Sequence, residues 1–215
     1  MARSDTKIWL SLNIEEAVQE RTNDIEWVPI TDIPIEMQQA LLAIEDHNFY
    51  NHGAIDVDGI LRATLVNITA GEVVQGGSTI TQQLTKNLFL SQEQTLIRKT
   101  EEALLSLVME QHYSKDQLLE IYFNTTYFGA GATGIKSAAL TYFDKLPQEM
   151  QLAECAIIAA LPYAPSALNP LENPEGCKKR QRLVLQTMVK RGYIGTTLAE
   201  KTSAEPVFLA NGATF

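Results

Sequence analysis

The sequence predicts a mainly α-helical protein, and two observations support this prediction. After residue 31, apolar residues recur at helical spacing in one segment after another, and helix-capping signals precede several of these segments. Strand-like alternation is scarce over the same part of the chain, so a parallel sheet is not expected. The length of 215 residues, 45% of them hydrophobic, is enough for one medium-sized domain with a real core.

The chain is expected to comprise an N-terminal extension over residues 1–30, one main domain over residues 31–205 and a tail over residues 206–215. In the extension, residues 7–12 partly alternate and could form a short strand, at most as part of a small strand pair, while residues 14–21 could form a helical turn. No linker is long enough to divide the chain into two domains.

The helices of the main domain are predicted from their start signals. The first begins near Pro34, which is tolerated in a first turn, and ends at about Ile44. Asp56 or Asp58 caps the second helix. Further helices are predicted to start at residue 78 or 79 and to cover residues 95–112, 114–123, 135–143, 147–161, 175–191 and 197–203, with glycine-rich irregular stretches at residues 69–77 and 124–134.

Composition and charge exclude several classes of protein. A net charge of −9 argues against nonspecific nucleic-acid binding. Cys155 and Cys177 belong to no CxxC motif or Cys/His cluster, so a structural zinc site is not expected. The longest apolar run, residues 156–162, is far shorter than the roughly 20 residues of a membrane span, and no signal peptide opens the chain. We therefore expect the chain as given to be soluble.

The pair Glu45-Asp46 follows an apolar helical segment and is the first candidate for chemistry. A carboxylate at this position loses water and faces the negative end of the helix dipole, so both effects should raise its pKa. A carboxylate with a raised pKa can act as a general base near neutral pH. The alternative is a polar helix end, followed by a turn at Gly53, with no catalytic role.

A second candidate group lies in the helix after the glycine pair at residues 76–77. Thr79, Gln82, Gln83 and Lys86 recur at three- and four-residue spacing, so one helix face carries hydrogen-bonding side chains. The spacing of Thr79 and Gln82 also predicts a capping box. A solvated surface helix would more often carry Glu and Lys than Thr and Gln; the alternative is an exposed polar face with no role in binding.

A third candidate group is Arg98-Lys99-Thr100-Glu101-Glu102, in which Arg98 and Glu102 share one helix face. It is either a surface ion pair worth well under ~1 kcal/mol or a pair of cations suited to a diphosphate, with a carboxylate beside it. Taken together, the three groups supply a base for a hydroxyl, hydrogen bonds for sugars and cations for a leaving diphosphate. Sugar transfer from a diphosphate requires these parts.

A basic segment between Lys178 and Arg191 contains six cations and no acidic residue. The simpler interpretation is a solvated helix face. The alternative is contact with anionic lipid headgroups or with the phosphates of a lipid carrier.

Five motifs occur in order between residues 45 and 170. They are Glu45-Asp46-x-x-Phe49-x-x-His52-Gly53, Gly76-Gly-Ser-Thr-Ile-Thr-Gln-Gln-Leu-x-Lys86-Asn87, Arg98-Lys99-x-x-Glu102, Lys115-x-x-Leu-Leu-Glu120-x-Tyr-x-Asn124 with Tyr127-x-Gly129, and Leu152-Ala-Glu154 through Ala164-Pro165-Ser166 and Asn169-Pro170. This order closely resembles the peptidoglycan glycosyltransferases of family 51, which occur as monofunctional enzymes and as the polymerising half of class A penicillin-binding proteins.

The resemblance implies a lysozyme-like helical fold with a smaller, mobile, membrane-facing lobe, and it makes residues 31–205 a glycosyltransferase domain. The implied substrate is lipid II, and the implied donor is a growing glycan on an undecaprenyl diphosphate carrier. The implied reaction inverts the anomeric centre, builds a β-1,4-linked strand of the cell wall and releases undecaprenyl diphosphate.

The resemblance also implies roles for individual residues. Glu45 would be the general base, and Glu102 would stand near the diphosphate, orienting cations or a divalent metal such as Mg or Mn; no cofactor is required with certainty. The implied substrate-binding residues are Asp46, Phe49, His52, Gly77, Ser78, Thr79, Gln82, Gln83, Lys86, Asn87, Arg98, Lys99 and Asn124. We expect Glu45 to be largely buried and to face Glu102 across a cleft.

The implied location is the outer face of the bacterial cytoplasmic membrane. Members of the family are normally tethered by an N-terminal transmembrane helix that is not found here, so the chain is expected to be a piece of a longer protein. Expected partners are the membrane surface, inhibitors of the moenomycin type and other proteins of cell-wall synthesis, but no nucleic acid. Transpeptidase motifs are absent, so penicillin is not expected to act on this chain.

The sequence departs from the family pattern at two positions. Tyr163 stands where some members have a basic or amide side chain, and Asp144 stands where a glycine is usual. Two other functions are compatible with the residues: a glycan-cleaving enzyme of similar fold, which would not need Lys86, Arg98 and Lys99, and a catalytically silent module that binds lipid II.

Overall fold

The computed structural model describes residues 13–71, 76–91 and 95–214, and these residues form two compact units. Unit 1 is drawn from Met1–Asp24 and Asn48–Ile121, and unit 2 from Ile25–His47 and Tyr122–Phe215. Each unit therefore combines segments that are far apart in sequence. The predicted boundaries at residues 30 and 205 stay a prediction.

The described residues are mainly helical, which confirms the predicted fold class. The helices are α1 (Ile14–Thr22), α2 (Ile35–Glu45), α3 (Val57–Ala70), α4 (Ile80–Phe89), α5 (Leu96–His112), α6 (Lys115–Thr125), α7 (Ile135–Phe143), α8 (Leu152–Ala160), α9 (Pro174–Lys190) and α10 (Thr196–Ala204). Two short strands, β1 (Tyr127–Gly129) and β2 (Ala132–Thr133), form an antiparallel pair. None of the helices in these described ranges is both long and apolar enough to cross a membrane.

Unit 2 is organised around α8, which is enclosed by its neighbours. Residues 153–160 of this helix are all buried, as expected for a helix that is apolar on most of its circumference. Helices α2 and α9 pack on α8 and on each other. Gln181 of α9 donates a 2.8 Å hydrogen bond from Nε2 to the carbonyl of Ala153 in α8. This packing fixes the end of α2, where Glu45 lies.

Unit 1 joins α4 to α5 through a row of buried polar side chains. The hydroxyls of Thr85 and Ser106 lie 3.1 Å apart, and the Thr81 hydroxyl donates a 2.7 Å hydrogen bond to Glu110. Buried polar groups that satisfy each other in this way are stable only in one alignment of the two helices. The row therefore sets the position of α5 along α4.

Several predicted helix starts are confirmed. The Asp56 side chain caps α3 by accepting the backbone N–H of Gly59 at 2.9 Å. Thr79 and Gln82 form the predicted capping box at the start of α4, with reciprocal hydrogen bonds of 3.1 Å.

Two expectations about regular structure are corrected. Residues 147–161 do not form one helix. A 3₁₀ turn covers Pro147–Glu149 and ends there. Helix α8 then begins separately, and its start is capped by the Glu154 side chain, which accepts the backbone N–H of Gln151 at 2.7 Å. A strand pair was expected only near the front of the chain, but the observed pair lies in the stretch predicted to be irregular. Residues 7–12, the predicted front strand, lie outside the described residues.

The β1–β2 hairpin depends on backbone conformations that favour glycine. The turn residues Ala130 and Gly131 have φ of 50° and 77°, the signs of a type I′ turn. Gly129 has φ of 90°, and a Cβ atom there would lie 2.4 Å from the Pro165 carbonyl oxygen and 2.9 Å from the Tyr142 hydroxyl. The hairpin thus packs against the segment after α8 without room for a side chain at Gly129.

Gly129→Ala is expected to lower the free energy of unfolding by about 3 kcal/mol or more, because the new Cβ adds a clash to the strain of a positive φ. Gly131→Ala is the matched control, since its φ is 77° but a Cβ there would have no heavy atom within 4 Å. Its expected cost is only about 1–2 kcal/mol. Urea unfolding of both variants measures the difference, and equal losses would contradict the close approach.

Candidate functional site

A cavity of about 420 Å³ lies in unit 1, between α4 and the first half of α5. Its lining residues are Ser78, Gln83, Lys86, Ser91, Thr95, Leu96, Arg98, Lys99 and Glu102. The structure therefore brings together six residues from two separate predicted groups. Asn87, also predicted to bind substrate, is exposed on α4 and is not among the lining residues.

Glu102 is the buried anchor of this cavity, with only 2% of its surface exposed. One carboxylate oxygen accepts a 2.6 Å hydrogen bond from Nη1 of Arg98, and the other accepts from Nζ of Lys99. Lys99 also donates to the Ser78 hydroxyl at 2.8 Å. Since Arg98 lies four residues and Lys99 three residues before Glu102 on the same helix, α5 itself brings both cations to the carboxylate.

The cavity carries an excess of positive charge, because three cations line it against one carboxylate. The side chain of Lys86 makes no ion pair or hydrogen bond within the described part of the chain, and Nε of Arg98 is buried without a partner there. The cavity also lies at the start of α5, where unpaired backbone N–H groups favour anions. These features suit a ligand with several negatively charged oxygens, such as a diphosphate.

Thr79 and Gln82 are engaged in holding the backbone. Both are buried, and besides forming the helix cap, the Thr79 hydroxyl donates a 2.8 Å hydrogen bond to the Ala54 carbonyl. Gly77 lies close to α3, since a Cβ there would approach Cα of Ile60 to 3.2 Å. These contacts fix the entry to α4, while the predicted substrate contacts of the three residues stay a prediction.

The remaining first-motif residues of unit 1 are part of an aromatic contact. Phe49 is buried, and its ring meets that of His52 edge-on at 6.4 Å. Nζ of Lys115, from the fourth motif, lies 4.4 Å from the centre of the Phe49 ring and 2.7 Å from Glu110. Phe49 therefore helps to pack unit 1, and its contact with substrate, like that of His52, stays a prediction.

Glu45 and Asp46 lie in unit 2, at the end of α2. Glu45, the last residue of the helix, is partly buried, and Asp46 is the more buried of the two, at 7% exposed. The pKa of the Tyr122 phenol is raised well above its usual value, first by burial and then by the charge of Glu45. The predicted approach of Glu45 to Glu102 stays a prediction.

Asn124 has a structural partner in unit 2. Its side chain is fully buried and pairs with both backbone groups of Val28, accepting the N–H and donating to the carbonyl, each at 2.8 Å. This pair of hydrogen bonds fixes the segment that leads into α2. A contact of Asn124 with substrate stays a prediction.

The donor set around Glu102 does not fit a divalent metal ion held by the protein. Both carboxylate oxygens already accept from cations, and a hard cation such as Mg²⁺ needs several oxygen ligands in place of them. Among residues 13–71, 76–91 and 95–214, no three His, Cys, Asp or Glu side chains cluster as metal ligands. A need for Mg or Mn in the reaction stays a prediction.

Three residues of the cavity were not predicted: Ser91, Thr95 and Leu96. Thr95 carried a usable signal, because it caps α5 by accepting the backbone N–H of Arg98 at 3.2 Å, and a cap residue lies at the same helix end as the cations. Ser91 and Leu96 carried none, since neither residue type nor spacing distinguishes them from ordinary loop and helix residues.

Comparisons with known proteins point to one family. A model of the transglycosylase family matches residues 13–189. The chain is 46% identical over 181 residues to penicillin-binding protein 1A of Aquifex aeolicus, covering 84% of this chain and 25% of the relative. It is 43% identical over 182 residues to penicillin-binding protein 1F of Bacillus subtilis, covering 85% and 26%. The chain thus spans about a quarter of the length of these relatives.

A solved structure shows the same fold. The crystal structure of penicillin-binding protein 1A from Haemophilus influenzae matches with a TM-score of 0.52 and 23% sequence identity, covering 86% of this chain and 18% of that one.

Glu102→Gln is expected to lower the free energy of unfolding by about 1–3 kcal/mol, because Arg98 and Lys99 would lose their shared anion in a buried place. Glu205→Gln is the control, since Glu205 and Lys201 form an exposed pair at 3.8 Å, which is worth less than about 1 kcal/mol. Thermal unfolding at two salt concentrations separates the two cases. A cost for Glu102→Gln no larger than that of the control would show that the cluster is not an anchor.

Proposed function

The chain belongs to the transglycosylase family, the peptidoglycan glycosyltransferases, and on that premise we propose that it polymerises lipid II by an inverting mechanism with Glu45 as general base. The observation that carries the proposal is the cavity lined by Lys86, Arg98, Lys99 and Glu102. A transferase that expels a diphosphate needs such a cluster of cations.

The leaving group gives the cations their proposed role. As the bond between the anomeric carbon and the diphosphate oxygen breaks, negative charge grows on that oxygen. Lys86 is a donor available to it, whereas Lys99 is held by Glu102 and Ser78. Donors already in place stabilise the developing charge without having to reorganise during the reaction.

The attacking group gives Glu45 its proposed role. The acceptor is a sugar hydroxyl of lipid II, which becomes a better nucleophile when a base removes its proton. In the proposed step the hydroxyl oxygen bonds to the anomeric carbon of the growing glycan, Glu45 takes the proton, and the electron pair of the broken bond leaves with undecaprenyl diphosphate. Attack opposite the leaving group inverts the anomeric centre and gives a β-1,4 link.

An apolar stripe on α3 supports the proposed contact with a membrane surface. Val57, Leu61, Leu65 and Ile68 recur at three- and four-residue spacing, and each is about three-fifths or more exposed. Such a surface is unusual on a protein fully surrounded by water, and it suits the outer part of a lipid layer. The proposed location is the outer face of the cytoplasmic membrane, where the lipid-linked substrate would be held.

Cleavage of glycan, rather than synthesis, is less well supported. A glycan-cleaving enzyme needs a carboxylic acid near the sugar bond but no cluster of cations for a diphosphate. The buried contact of Glu102 with two cations would then have no chemical purpose.

Binding of moenomycin-type inhibitors and of other cell-wall synthesis proteins is part of the proposal.

Glu45→Gln is expected to lower kcat for lipid II polymerisation by about 100-fold or more, with a small change in KM, because only the proton transfer is lost. Glu36→Gln is the matched control: Glu36 is an exposed carboxylate in the first turn of the same helix, and its loss should leave kcat unchanged. Consumption of labelled lipid II measures both rates. Unimpaired turnover by Glu45→Gln would refute the assignment of the base.

Lys86→Gln is expected to lower kcat/KM about tenfold or more, because an unshielded cation contributes strongly to a diphosphate contact. Inhibition by inorganic diphosphate should weaken in parallel. Lys201→Gln, at a lysine that is 74% exposed on α10, should change neither quantity. The proposal for the cavity fails if inorganic diphosphate inhibits the Lys86 variant as strongly as the unchanged protein.

A further inference from the structure

An arginine of α9 is stacked on an exposed tyrosine at the end of the fifth motif. The guanidinium carbon of Arg180 lies 4.1 Å from the centre of the Tyr163 ring. Tyr163 ends the 3₁₀ turn Leu161–Tyr163 that follows α8, and 64% of its surface is exposed. Both residues belong to unit 2.

Arg180 has no anionic partner within residues 13–71, 76–91 and 95–214. It forms no ion pair there, and its Nε is buried without a hydrogen-bond acceptor. A buried donor that finds no acceptor costs free energy, so it is retained where something else compensates for it. The stack on Tyr163 supplies part of that compensation but leaves the N–H groups unused.

Two further cations, Lys178 and Arg182, flank Arg180 on α9, two residues before it and two residues after it. The pKa of Lys178 is lowered, first by burial and then by the charge of Arg182, so these side chains lie close enough to repel one another. A helix turn of cations that repel one another gains stability when an anion binds.

We propose that Arg180, held flat by Tyr163, binds a pair of anionic oxygens of the lipid-linked substrate; this inference rests on the proposed function. The stack fixes the plane of the guanidinium, and a fixed plane suits bidentate binding of a carboxylate or a phosphate. The turn that carries Tyr163 packs against β1, where Pro165 meets Gly129. Tyr163 thus lies on a turn that is held against the β1–β2 hairpin, and the guanidinium stacked on its ring is held with it.

Two parts of the substrate carry such oxygens: the carboxylates of the peptide stem and the diphosphate. Stem carboxylates can be amidated, which removes the charge without altering the diphosphate. The two sources therefore predict different responses to a single chemical change in the substrate.

The test compares Arg180→Gln, Arg180→Lys and Tyr163→Ala with Lys179→Gln, which removes a neighbouring exposed cation. KM and kcat are measured for lipid II with free and with amidated stem carboxylates. Binding of inorganic diphosphate and of a muramoyl pentapeptide is measured separately by NMR titration, and thermal unfolding checks that each variant is folded.

We expect Arg180→Gln to raise KM about tenfold or more with little change in kcat. Arg180→Lys should restore part of the affinity, and Tyr163→Ala should also raise KM. Lys179→Gln should leave both KM and kcat nearly unchanged. A defect that disappears with the amidated substrate assigns the carboxylate. A defect that persists with both substrates, together with weaker diphosphate binding, assigns the phosphate. Unchanged KM and unchanged probe binding in a folded Arg180→Gln variant overturn the proposal.

Failure of the proposed function gives a different result. If the unchanged protein makes no polymer, the NMR titrations alone decide, because they need no turnover. Binding of either probe that is lost in Arg180→Gln supports the anion site even then, and binding that is absent from the unchanged protein or equal in both overturns it.

Discussion

The contact of Glu102 with Arg98 and Lys99 is the interaction on which the cavity depends. A carboxylate exposed by only 2% would be costly alone, and two cations from the same helix compensate it. Lys99 then reaches Ser78 at the entry to α4, so the carboxylate indirectly ties one side of the cavity to the other. The polar row of Thr85 and Ser106 holds α4 and α5 in the alignment that this contact requires.

In this cavity, the carboxylate that holds the cations in place is distinct from the side chain that remains free to bind a ligand. Glu102 neutralises part of the charge of Arg98 and Lys99 and fixes where they point, while the Lys86 side chain stays available to a ligand. A buried ion pair is weak evidence for stability on its own, because its desolvation cost can equal its Coulomb gain. In the proposed reaction its value is positional, since donors already in place would stabilise the leaving diphosphate.

Much of the fold and part of the site could be predicted from local signals. The Thr79–Gln82 capping box and the Asp56 cap were predictable because each involves side chains within three residues of each other. The grouping of the chain into two units was not, because it joins residues 25–47 to residues 122–215 through long-range packing. The hairpin was missed because Ala130 adopts a positive φ, which is unusual for alanine and could not be predicted from the residue type. The burial of Asp46 beyond that of Glu45 likewise depends on where α2 ends against its neighbours.

The central claim is that the cations serve a leaving diphosphate in the synthesis of glycan. The most direct test incubates the protein with labelled lipid II and, separately, with labelled pre-made glycan, and separates the products by length on a gel. The account predicts a ladder of long strands from lipid II and no shortening of the glycan. Shortened glycan with unconsumed lipid II would contradict it.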